Sequence, residues 1–158
     1  MELTLPLDNA AIEQILLHRY PFLFVDRITE FEVDKRIVGI KNVSLNERFL
    51  SKAPDGTRAL PPTILTEAIA QVGAILILAK PENRQRLIYF REIKSVRYRR
   101  AVHPGDVVEI EATVLRLRSR MGLLKGTGRV DGHVVVEGTM TFALGPAQSP
   151  RQAEPSPR

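Results

Sequence analysis

The chain has 158 residues and a mass of 17.7 kDa, with 44% hydrophobic and 26% charged residues. That apolar share excludes a disordered chain, and the length suits one domain with a substantial core. Lys and Arg number 23 against 18 Asp and Glu, a net charge of +5, and the lack of cysteine excludes disulfides, thiolate metal sites and a cysteine nucleophile.

Met1 to Asn9 is acidic and lacks the basic start and apolar run of a signal peptide. Asp8 is placed to cap a short helix through Leu17, with Ile12, Ile15 and Leu16 as its apolar face, and Pro21 closes that unit. Phe22 to Phe31 and Arg36 to Val43 read as strands around a polar turn at Asp34 and Lys35. Leu45 to Leu60 has no period and reads as a loop. Pro61 and Pro62 then open a helix of about eighteen residues. It is apolar nearly all round, so other elements must wrap it. Its unbroken apolar part, Val72 to Ala79, is eight residues, whereas a membrane span needs about twenty. A soluble, cytoplasmic protein is expected.

Leu87 to Phe90 and Ser95 to Val102 read as two further strands, the second running into a turn at Pro104, Gly105 and Asp106. Val108, Ile110, Ala112 and Val114 alternate with polar residues, as do Val134, Val136, Met140 and Phe142. Asp131 and Gly132 form a hairpin turn. One buried helix, preceded by two strands and followed by at least four, predicts an α+β fold with a long antiparallel sheet wrapped around it. The domain is expected over residues 1–144, followed by a proline-rich disordered tail over 145–158.

Glu67 is the first candidate for chemistry. Its same-face helix neighbours, Thr63, Ile64, Ala70 and Gln71, bring no positive charge, and ionising it in dry surroundings is costly. That suits it to proton transfer. Thr63, Glu67 and Gln71 form a polar stripe that must face a cavity, a partner subunit or buried water. The competing expectation is an arginine from a strand paired with Glu67. Among the three histidines, His103 and His133 sit at exposed strand ends, and His18 reads as a hydrogen-bonded side chain fixing the approach to the first strand. No metal site and no cofactor are expected.

Several segments resemble the beta-hydroxyacyl-acyl carrier protein dehydratases of fatty acid synthesis, a hotdog-fold family. They are HRYPFLFVDRI (18–28), KNVSLNERFL (41–50), LTEAIAQVGAIL (65–76), YFREIKSVRYRRAVHPGDVVEIEATVL (89–115) and GRVDGHVVVEGTMTFAL (128–144). The resemblance implies a homodimer, extended in some members to a trimer of dimers or pairing with an active paralogue. It also implies acyl-thioester sites at the subunit interface, with acyl carrier protein or CoA carrying the substrate. In that family a histidine removes the proton beside the thioester carbonyl and a helix carboxyl, here Glu67, protonates the departing hydroxyl. A backbone amide at the helix start steadies the oxyanion.

Two positions depart from that pattern. Counting back from Glu67 without gaps, the family's histidine falls on Ala53 and its oxyanion glycine on Pro62, which has no amide hydrogen. Loss of a general base costs about 10² to 10⁴ in rate, and loss of one oxyanion donor about 10² to 10³. Dehydration is therefore expected to be absent or very slow. The alternatives are a non-catalytic acyl-binding subunit and a thioesterase working through Glu67.

Thr63, Gln71, Ala53, Pro62, Tyr89 and Phe90 are the expected substrate-binding positions. Arg97, Arg99 and Arg100 lie in a basic stretch that suits docking of an acidic carrier. A solvated sheet face is the plain alternative, and nucleic acid is the disfavoured partner.

Overall fold

The computed structural model describes residues 4–84 and 86–147. Helix α1 (Asn9–Ile15) starts where the Asp8 carboxylate accepts the Ala11 amide hydrogen at 2.9 Å. Strands β1 (Arg27–Glu32) and β2 (Arg36–Asn42) form an antiparallel hairpin. A two-stranded ribbon follows, β3 (Ser51–Lys52) with β4 (Arg58–Ala59), and then helix α2 (Pro62–Leu78). A 3₁₀ turn at Pro81–Asn83 leads to β5 (Arg86–Tyr98), β6 (Val107–Arg118), β7 (Met121–Val130) and β8 (His133–Ala147).

The main sheet has six antiparallel strands in the order β1-β2-β6-β7-β8-β5. Helix α2 carries the chain from the β2 side to the opposite edge, where β5 pairs with β8 alone. The predicted α+β arrangement, a long sheet around one helix, is what the chain forms. Alternation along β6 and β8 turns Val108, Ile110, Ala112, Val136, Met140 and Phe142 inward against α2. Two glycines let helix and sheet meet closely. A Cβ at Gly126 would stand 2.1 Å from Ile69 Cγ2, and one at Gly73 would stand 2.7 Å from Leu124 Cδ1. Asp131 and Gly132 both have positive φ, 49° and 74°, the pairing a tight two-residue hairpin requires.

Four expectations need correction. Phe22 to Asp26 is not part of the first strand, which begins at Arg27, because the Phe22 carbonyl and Phe24 amide bond to the Gln71 side chain instead of a neighbouring strand. The stretch from Leu45 to Leu60 holds the β3–β4 ribbon, closed through Gly56 at φ 83° and the Asp55 carboxylate on the Thr57 amide. The two strands expected between Leu87 and Val102 are one, β5; what breaks the alternation is a register shift around Ser95, whose φ is 48°. Arg99 to Val102 lies outside that strand. At the other end β8 runs to Ala147, and the rest of the expected tail, 148–158, lies outside the described residues.

Candidate functional site

All seventeen residues of α2 are buried except Pro62, Thr63 and Glu67. These three lie together in the first half of the helix, so the otherwise enclosed rod opens to the surface at one place. The Glu67 side chain is 30% exposed there. Of the predicted polar stripe, Thr63 is exposed, Glu67 is half-buried and Gln71 is fully enclosed.

Gln71 ties three segments together. Its oxygen accepts the Phe24 amide hydrogen at 2.8 Å. Its nitrogen donates to the Phe22 carbonyl and to Glu67 Oε1, each at 2.9 Å. Every hydrogen of the amide is used, so which end is oxygen is settled by the two backbone partners. Phe22 and Phe24 meet edge to face at 4.8 Å, and Phe24 meets Phe49 at 5.9 Å, which packs this segment against the chain leading to β3.

The carboxylate has an imidazole neighbour rather than the guanidinium held open as an alternative. His18 Nε2 stands 3.6 Å from Glu67 Oε1, at ion-pair distance and just beyond hydrogen-bond length. No arginine or lysine comes within ion-pair distance of Glu67 among the described residues. His18 Nδ1 is buried and has no hydrogen-bond partner among them, so the expected hydrogen-bonded role for His18 is replaced by proximity to the acid. His18 also stands in the wall of a cavity of about 100 Å³ that Leu16, Leu78, Leu87 and Ile88 line together with Arg84 and Arg86.

The remaining expected positions lie on the β3–β4 ribbon, the start of α2 and β5. Ala53 is in the turn of the β3–β4 ribbon, its amide donating to the Thr57 carbonyl at 2.8 Å and its side chain a methyl group. Pro62 occupies the first turn of α2 behind an N-cap, Pro61, that offers no side-chain bond. The first amide hydrogen of the helix is therefore that of Thr63, which has no carbonyl within α2 to meet. Tyr89 is exposed and Phe90 is half-buried, opposite Phe142. The β5 aromatic whose polar group meets α2 is Tyr98, with its hydroxyl 2.6 Å from Thr66 Oγ1.

The three expected docking arginines differ in their partners. Arg99 is bonded to Glu137, and this holds the Glu137 carboxyl below its ordinary range. Arg100 donates to the Val130 carbonyl at 3.0 Å. His103 Nδ1 lies 2.8 Å from the Arg58 carbonyl and so pins the β3–β4 ribbon, and His133 Nδ1 lies 2.9 Å from the Asp131 carbonyl. Among the described residues no three His, Asp or Glu side chains gather in a way that could hold a metal ion. No helix among them is long and apolar enough to cross a membrane.

Residues 16–139 match the FabA-like domain. The chain belongs to the FabA-like family. It is 47% identical over 139 residues to the 3-hydroxyacyl-[acyl-carrier-protein] dehydratase FabZ of Bacillus subtilis, covering 88% of this chain and 99% of that protein. To the enzyme of the same name from Bacillus licheniformis it is 46% identical over 142 residues, covering 90% and 99%. Among solved structures, the dehydratase heterocomplex ApeI:P of Xenorhabdus doucetiae matches with a TM-score of 0.75 at 21% identity, covering 91% of this chain and 93% of that one. A hypothetical thioesterase with coenzyme A from Streptococcus pneumoniae matches at 0.59 and 16% identity, covering 77% and 87%. The architecture is the hotdog fold.

Three groups around the site of this FabA-like chain escaped the sequence reading. The Thr66–Tyr98 contact joins residues 32 apart, and no local pattern announces it. Lys41 is almost completely buried and bonded to Glu47 at 2.6 Å, with its ammonium 5.5 Å from the centre of the Phe24 ring. Alternation in β2 did place Lys41 on the face of Val43, a signal that a charged residue there needs a partner. His18 was read by its segment rather than by its distance from Glu67, which only folding sets.

Proposed function

We propose that this FabA-like chain handles 3-hydroxyacyl thioesters through Glu67, as a hydro-lyase of the dehydratase type that lacks the usual histidine. The observation that carries the reading is the carboxyl group itself. It is the only ionisable side chain of α2, it stands at the one opening of that helix, and it meets no arginine or lysine among the described residues. A carboxyl so placed can protonate a departing β-hydroxyl as the carbon–oxygen bond breaks, releasing water. The names of the curated relatives support a thioester of acyl carrier protein, and a CoA thioester presents the same acyl group.

Removal of the proton next to the thioester carbonyl is the step this chain is poorly equipped for. Ala53 cannot take a proton, and the lack of a base there costs about 10² to 10⁴ in rate. Pro62 cannot donate to the oxyanion, but the Thr63 amide and hydroxyl stand one residue further on at the exposed start of α2. Partner and assembly follow from the same reading. Strand β5 is an edge strand of thirteen residues with exposed Tyr89, Ile93 and Tyr98. A second copy adding its own β5 would join the two sheets and cover them. Further assembly as a trimer of dimers, or pairing with a paralogue that carries the histidine, extends this arrangement. Arg97, Arg99 and Arg100 form the docking ground for an acidic carrier, and the reaction belongs in the cytoplasm.

A second reading, an acyl-binding subunit or a thioesterase using Glu67 alone, is favoured by the double departure at Ala53 and Pro62. The test is turnover of 3-hydroxyacyl and saturated acyl thioesters by the purified chain. Slow dehydration abolished by Glu67→Gln is expected, together with a gain of at least about 100-fold in the Ala53→His, Pro62→Gly double variant. A rate unchanged by Glu67→Gln, or no gain from a folded double variant, refutes the dehydratase reading. Hydrolysis of saturated thioesters, or binding without turnover, selects the second.

A further inference from the structure

His18 borders the cavity lined by Leu78 and Arg84 but has no part in the proton transfer proposed for Glu67. Gln71 donates to Glu67 Oε1 in an orientation settled by the Phe22 carbonyl and Phe24 amide. Oε1 is therefore an acceptor whatever the charge of Glu67, and a proton on this carboxyl resides on Oε2. His18 Nε2 faces the same Oε1 at 3.6 Å. Among the described residues a hydrogen on His18 Nδ1 would be buried without an acceptor, whereas a hydrogen on Nε2 points toward a carboxylate oxygen.

We propose that His18 is a positioning residue for Glu67. As the Nε2–H tautomer it joins Gln71 in holding Oε1, which leaves Oε2 as the oxygen that carries and delivers the proton. The inference rests on Glu67 being the reacting carboxyl. Both groups belong to one chain, so each protomer orients its own acid before any partner contributes to the site. The 3.6 Å separation shortens to a hydrogen bond when a bound acyl group excludes water from the opening. The His18 ring is held for this by Phe22, with ring centres 6.3 Å apart and planes 26° apart.

Substitutions at position 18 separate a donor at Nε2 from a ring that fills space. Glutamine places an amide N–H where Nε2 stands, asparagine places one where Nδ1 stands, and phenylalanine keeps the ring without a donor. In dehydration by the full chain, His18→Phe is expected to lower kcat about tenfold with KM within about twofold. His18→Gln restores most of that loss and His18→Asn does not. Nitrogen-15 spectra of the imidazoles supply a readout that needs no turnover. His18 is expected as the Nε2–H tautomer, with resonances that move in Glu67→Ala while those of His103 and His133 stay. An Nδ1–H tautomer, a His18 signal indifferent to Glu67→Ala, or equal losses in the glutamine and asparagine variants overturns the proposal. If Glu67→Gln leaves turnover intact while the His18 signal still answers to Glu67→Ala, the functional reading fails and the pairing stands.

Discussion

Replacing Gln71 with leucine removes one amide from a fully buried position and keeps nearly the same volume. The buried Phe24 N–H loses its acceptor, while the Phe22 carbonyl and Glu67 Oε1 are only part-buried and can turn to water. An unsatisfied buried donor costs about 1–3 kcal/mol, and each of the two bonds that water can replace adds about 0.5 kcal/mol, which puts the loss at about 2–4 kcal/mol. For a domain of this size each kcal/mol moves Tm by about 2–4 °C, so a drop of about 4–16 °C is expected. Thermal and urea unfolding followed by circular dichroism measure it. Gln71→Glu keeps the acceptor for Phe24 but sets a second carboxylate against Glu67, and at neutral pH it is expected to lose at least as much. A folded Gln71→Leu protein within about 0.5 kcal/mol of the parent would refute the idea that this amide ties the segment before β1 to α2.

Gly126→Val drives a side chain into Ile69, whose Cγ2 stands 2.1 Å from the first added carbon. Overpacking of this kind costs about 1–3 kcal/mol, and Ile69→Ala in the same protein is expected to recover part of it in a double-mutant cycle. Lys41→Met leaves the Glu47 carboxylate largely buried without its cation, a loss of about 3–5 kcal/mol in urea unfolding that Lys41→Met with Glu47→Leu largely reverses. The Arg99 bond holds Glu137 below its ordinary 4.5, so the pairing contributes fully above that value and is lost as pH falls through the lower folded one. Unfolding midpoints of the parent are expected to decline more steeply below about pH 4.5 than those of Glu137→Gln, and parallel curves would count against the pairing.

The parts of the fold that could be read in advance are those written in local periodicity. A run apolar nearly all round after two prolines marked α2, alternation marked β6 and β8, and an Asp-Gly pair marked the hairpin that leads into β8. Apart from the β3–β4 ribbon, whose strands pair across a few residues, the failures come from bonding to partners distant in sequence. Phe22 to Asp26 has the composition of a strand, but its polar groups are taken by a glutamine side chain 47 and 49 residues away. Residues 91–94 separate the two strands expected from the sequence because a register shift and a true interruption disturb alternation alike. Within the site, Glu67 stood out because one charge in an apolar helix is visible in any window. Its neighbours did not, since the distance from residue 18 to residue 67 is set by how α1 and the segment after it lie across α2. Arg99 and Arg100 showed as charge in the sequence, but their commitment to Glu137 and Val130 depends on strand pairing.

The elements that carry the two positions proposed for this chemistry differ greatly in stiffness. Glu67 projects from the most enclosed element of the molecule, whereas Ala53 sits in the turn of a ribbon two residues wide on each side, anchored by few bonds to the rest of the chain. Side chains can therefore be exchanged at the turn without disturbing the framework that keeps the molecule folded. Exchange of the side chain at position 53 is therefore expected to cost the fold little, so selection on folding alone would not register it.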